Sequence, residues 1–132
     1  MSGDPGDLSG RWNGFYSYRR GGSCAFEAEL RDHGGALVGV SYEIAEFGPA
    51  PGSTLSASLH GRRSGRAVRF AKTYDEVALA HYSIHYTGTL APDGNEIEGQ
   101  WRVAGDHGTF LMVRRGGTGA EEEAKAGETV KA

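Results

Sequence analysis

The chain has a single cysteine, Cys24, so no intrachain disulfide can form and an oxidising compartment is not implied. No run comes near the roughly 18 consecutive apolar residues of a membrane helix. The opening residues 1–7 hold two acids and no apolar stretch, so no signal peptide is read there. The expectation is a soluble, cytoplasmic protein with no membrane partner. Clustered, uncompensated positive charge is also lacking. The net charge of −3 comes from two acidic ends, residues 1–7 and 117–132, which leave residues 8–116 close to neutral. A near-neutral body argues against nucleic acid as a partner, since binding a phosphate backbone needs massed Lys and Arg. Arg62, Arg63, Arg66 and Arg69 do gather around one turn. With no aromatic stacking platform beside them, they read as a solvated turn. Strong helix signals are missing too, and proline is scarce at four residues.

Glycine is abundant instead, 22 residues in 132, more than twice the usual share of roughly 7%. Together with alternation of apolar and polar residues at period two, this composition describes strands joined by tight turns. The clearest stretch runs from Ala67 to Val103. Val68, Phe70, Lys72 and Tyr74 share one face of its first strand. Tyr82, Ile84, Tyr86 and Leu90 share a face of the second, and Ile97, Gly99, Trp101 and Val103 a face of the third. Earlier strands are read at Gly10–Tyr18, at Ser23–Arg31 with Cys24, Phe26, Ala28 and Leu30 on one face, at Ala36–Ile44, and around Leu55–His60. A last strand is read at Thr109–Arg115. In the third strand Val38, Val40, Tyr42 and Ile44 form one face and Leu37, Gly39, Ser41 and Glu43 the other. The more apolar and aromatic faces are taken as the inward ones.

Eight strands spaced near twelve residues apart, with short turns, predict an all-β meander. An open sheet would leave two unpaired edges and an uncovered apolar face. Closure into a single eight-stranded antiparallel up-and-down β-barrel removes both. The expected organisation is a flexible lead over residues 1–7, the barrel over 8–116, and a disordered acidic tail over 117–132.

Gly10-Arg11-Trp12 resembles the G-x-W of calycin barrels, the lipocalin, fatty-acid-binding and avidin-like proteins, and the strand pattern is similar to small bacterial barrel proteins of unassigned function. The resemblance implies that Trp12 closes one barrel end and that Arg114 or Arg115 packs across it. In the avidin-like subgroup an Asn lies two residues beyond that Trp; here the position is Gly14, which speaks against that ligand chemistry.

With the aromatic faces inward, the interior contains Tyr16, Phe70, Lys72 and Tyr74, together with Tyr82, Tyr86, Trp101 and Arg114. These are the candidate ligand-binding residues. Buried Lys72 must find a partner or lose its charge. It reads either as an anchor for an anionic head group or as a rim lysine whose stem covers apolar wall. Tyr42 and Ile44, beside the Phe47-Gly48-Pro49 loop, read as a lid or as part of an ordered rim loop. His81 and His85 lie four apart on a strand, roughly 13 Å, too far to share a metal ion. Ser83 lies between them on the outward polar face, where no nucleophile arrangement results. No metal, cofactor or catalytic set is expected. The expectation is a non-catalytic module for a small apolar or amphipathic molecule. A self-filled barrel that associates into a homo-oligomer is the alternative.

Overall fold

The computed structural model describes residues 6–44, 51–79 and 82–115. The expected acidic tail, the first five residues, the Phe47-Gly48-Pro49 stretch and His81 lie outside the described residues. The strands are β1 (Gly10–Tyr18), β2 (Ser23–His33), β3 (Ala36–Ile44) and β4 (Thr54–Ser64), then β5 (Ala67–Tyr74), β6 (Ser83–Leu90), β7 (Glu96–Val103) and β8 (Asp106–Arg114). They form one closed antiparallel barrel in sequence order. The seam is β1 against β8, with Trp12 opposite Arg114 and Tyr16 opposite Phe110. Closure leaves no unpaired edge, which satisfies the backbone groups an open sheet would expose.

Three strands run longer than their sequence signals. β2 continues through Asp32 and His33 because Gly34 and Gly35 alone make the turn, with φ of 61° and 100°. Those positive values are inexpensive only for glycine. β4 likewise continues to Ser64, and β8 begins at Asp106.

β3 is turned the other way from the expected face. Leu37, Ser41 and Glu43 are buried, whereas Val38, Val40, Tyr42 and Ile44 are exposed. The cause is pairing parity. Leu37 sits opposite Asp32, Gly39 opposite Leu30 and Ser41 opposite Ala28, and residues directly opposite on paired strands share a face. Since β2 buries its even-numbered positions, β3 must bury its odd ones. Covering Leu30 and Ala28 outweighs exposing two valines.

The interior is filled by uneven partners, as small barrels require. Small residues such as Ala28, Ser41 and Ala57 line β2 to β4, while Phe70, Tyr86, Trp101 and Phe110 project from β5 to β8. Phe26 lies so close over Gly14 that any side chain there would collide with its ring.

One end of the barrel is shut by the chain itself. Leu8, Trp12, Ile97 and Met112 are wholly buried there. The Trp12 indole donates to the Leu8 carbonyl at 2.9 Å, and the Leu8 amide donates to Asp32 Oδ2 at 3.0 Å. Asp32 also receives Arg63 Nε at 2.7 Å and the Gly35 amide at 2.8 Å. Burial would raise its pKa, but these donors outweigh burial and hold the carboxyl below the usual range. Arg114 stacks 4.5 Å above the Trp12 ring and donates to the carbonyls of Gly94, Ser9 and Asp7. Arg115 instead points outward and pairs with Glu27.

Candidate functional site

The opposite end holds a cavity of about 440 Å³. Its walls are the last inward residues of β1, β5 and β7 and the first of β6, so the alternation that fills the barrel also places rings around its mouth. Tyr16, Tyr18 and Trp101 pack edge to face, with centroids 5.5 to 6.2 Å apart. Ile84 and Val103 add aliphatic wall, and Leu79, from the short 3-10 helix Val77–Leu79, lies at the rim with half-exposed Tyr82.

The floor is polar. Lys72 is only 1% exposed, and its Nζ donates to Glu43 Oε1 at 2.7 Å. Glu43 Oε2 accepts the Tyr16 hydroxyl at 2.6 Å and the Tyr74 hydroxyl at 3.1 Å, with Cys24 Sγ at 3.8 Å. The ammonium is ringed by aromatic faces: Tyr16 at 4.7 Å, Tyr74 at 4.9 Å, Phe26 at 5.3 Å and Tyr86 at 5.6 Å. Burial disfavours its charge, but the oxygen of the Tyr86 phenol and the Glu43 carboxylate more than offset that, so its pKa lies above that of an ordinary lysine. Burial pushes Tyr16, Tyr74 and Tyr86 up as well, so all three are neutral phenols at physiological pH. A protonated lysine against an ionised glutamate makes a floor of no net charge. A protonated amine is no nucleophile.

The cavity brings together six of the eight candidate residues: Tyr16, Lys72, Tyr74, Tyr82, Tyr86 and Trp101. Phe70 does not line it. Its ring stacks on Tyr86 at 4.8 Å from below and fixes that side chain. Arg114 lies at the shut end, where its guanidinium serves Trp12 and three carbonyls; it cannot be a cavity residue. Lys72 neither waits for an anion nor reaches out at the rim, because Glu43 already holds it. Glu43 is the residue that sequence reasoning missed. The signal was present in the even-length turn between β2 and β3, which forces Glu43 inward once Cys24 and Phe26 are inward.

His85 and Ser83 are exposed, and Ser83 faces Thr73 at 3.2 Å. Among the described residues, no three His, Cys, Asp or Glu side chains come together as a metal site. A second hollow, of about 460 Å³, is an outer groove lined by Ser17, Thr89, Glu98 and Gln100.

No family model matches the sequence, and no curated protein matches it either. Solved structures do match in fold. A redesigned β-barrel superposes with a TM-score of 0.67 at 12% identity, over 83% of this chain and 92% of that one. A de novo designed fluorescence-activating β-barrel superposes with a TM-score of 0.61 at 13% identity, over 87% of this chain and all of that one. At such identities the likeness is one of architecture: a closed eight-stranded antiparallel barrel.

Proposed function

We propose that this chain is a non-catalytic binding protein that takes one small, largely apolar molecule through the open end of its barrel. The observation that carries the reading is the cavity of about 440 Å³, walled by tyrosines and Trp101 above a polar floor. Small-molecule sites have this character: mostly apolar walls, a few fixed polar groups, and a volume of about 300–1,000 Å³. The likeness to a designed fluorescence-activating barrel supports reading such an interior as a receptacle. An anionic head group fits less well, because it would have to displace Glu43 from Lys72.

The test is titration with a neutral, environment-sensitive dye. Saturable fluorescence at one dye per chain, with energy transfer from Trp101, is the expected result. Ile84→Trp, which fills the cavity, should abolish the signal without lowering the thermal midpoint. A wild-type protein that never saturates would leave the self-filled, self-associating barrel as the better reading. One observation favours that second reading: Val38, Val40, Tyr42 and Ile44 form an exposed stripe along β3, between 37% and 57% accessible. Native mass spectrometry reports subunit number and retained ligand in one spectrum.

A further inference from the structure

Six large hydrophobic side chains are exposed among the described residues, and four of them stand on one strand. Val38, Val40, Tyr42 and Ile44 form an unbroken outward row along β3. Scattered singly, such residues need no explanation, but a continuous row does. Strand addition cannot cover it, because the closed barrel has no free edge. A cover must lie face to face on the side chains.

The charges beside the row are sorted along the barrel. Towards the open end, Tyr42 is flanked by Glu27 on β2 and by Ser56 on β4, whose hydroxyl donates to Asp75 at 2.7 Å. Towards the shut end, Val38 is flanked by Arg31 on β2 and His60 on β4, and Ala36 by Arg62. Arg31 and Arg62 make no ion pair among the described residues. The face is therefore acidic at one end, basic at the other and apolar along its middle.

We infer that this face is the interface of a two-fold homodimer in which the β3 strands of two copies pack face to face and antiparallel. The axis runs along Glu29, Val40 and Ser58, which lie directly opposite one another on β2, β3 and β4. Rotation about it lays Tyr42 on Val38 of the second copy, Ile44 on Ala36, and Glu27 against Arg31. In each apolar pair a larger side chain meets a smaller one, and each charge meets its opposite. The two Glu29 carboxylates meet at the axis, but Arg11 already pairs each of them at 3.6 Å. With the strands parallel instead, Arg31 would lie over His60 and Glu27 beside Asp75, like against like.

The contact is small. The nine residues of β3, with one strand on either side, cover about 30 Å by 15 Å. That is less than the roughly 800 Å² per partner of a standard interface, so the dimer is a weak, micromolar one. β3 contributes no residue to the cavity lining. Association therefore stands or falls apart from the binding reading.

Sedimentation velocity on the full chain, over a series from low to high micromolar concentration, should show monomer and dimer in equilibrium. Val40→Glu sets two carboxylates against each other on the axis. It should leave only monomer, with the circular dichroism spectrum unchanged. Glu27→Arg and Arg31→Glu, both at exposed positions, test the antiparallel geometry. Each alone brings like charges together twice and should weaken the dimer about 10-fold or more. Mixing the two variants should restore association, because every swapped charge then faces its opposite across a heterodimer. A wild-type chain that stays monomeric throughout would overturn the inference. A dimer that survives Val40→Glu would overturn it too, as would a mixture that associates no better than its separate components. Failure of the neutral dye to bind, with the dimer intact, would overturn the binding reading alone.

Discussion

The two ends of this barrel are built from the same kinds of parts and do opposite things. Each has a buried or nearly buried acid–base pair, Asp32 with Arg63 at one end and Glu43 with Lys72 at the other. Each has a large aromatic beside a cation, Trp12 under Arg114 and Tyr16 under Lys72. At the first end the remaining hydrogen-bonding capacity goes to the chain itself: Leu8 is drawn in by Asp32, and Arg114 binds three backbone carbonyls. At the second end the chain supplies no such plug among the described residues, and the pair is satisfied by tyrosine side chains instead. A charged pair thus closes a barrel when backbone groups satisfy it, and floors a cavity when they do not. The chemical difference is one of fork against point: arginine reaches several carbonyls at once, while lysine concentrates on one carboxylate.

The largest effect should come from splitting the open-end pair. Lys72→Met keeps the stem and leaves Glu43 charged and unpaired, so urea unfolding should register a loss of about 3–5 kcal/mol. Adding Glu43→Leu should recover most of that loss, since an apolar pair of similar volume is often neutral or better. A single variant as stable as the wild type would mean that the pair is not buried.

At the shut end, Arg114→Met removes hydrogen bonds to carbonyls and the stacking on Trp12. A loss of about 1.5–3 kcal/mol is expected, with dye affinity unchanged. Altered dye binding in this variant would break the separation of the two ends.

Acid and alkali should act on different ends. Asp32 has a depressed pKa when folded, so its contribution is complete above its ordinary value of 3.8 and is lost as pH falls through the folded value. Lys72, Tyr16, Tyr74 and Tyr86 have raised values, so theirs is complete below about pH 10 and is lost as pH climbs beyond it. Spectrophotometric titration should therefore find three of the six tyrosines ionising late, together with unfolding. Six tyrosines titrating together while the barrel remains folded would contradict the buried floor.

The smallest effect concerns Ser41. Its hydroxyl is the buried side-chain polar group without a partner among the described residues. Ser41→Ala removes that orphan, and the change should be neutral or stabilising by up to about 1 kcal/mol. A clear loss in thermal or urea unfolding would show that the hydroxyl is bonded in solution.

Much of this was legible in the chain. Period-two alternation with glycine turns gave β1, β3, β5 and β7 their observed limits, because a strand with one wet face repeats every two residues wherever it lies. Closure followed from the cost of two open edges. Tyr16, Lys72, Tyr86 and Trp101 were found as inward residues by the same alternation. Arg114 was found as well but assigned two places, inside the cavity and across Trp12, since alternation names a face and not a depth along the barrel.

The number of strands, their closure, and the side of most of them that turns inward could all be read from the chain alone. Those properties depend on near neighbours and on the parity of turns. That β3 buries Glu43 at the expense of Val38 and Val40 emerges with the folded barrel, because the choice follows from register with β2 and not from the composition of β3. Folding also sets which end the chain shuts upon itself. That rests on contacts between residues far apart in the chain: Leu8 with Asp32, Arg114 with Asp7, and Lys72 with Glu43. No local pattern encodes such contacts, since each forms only when closure of the barrel brings its partners within hydrogen-bonding distance.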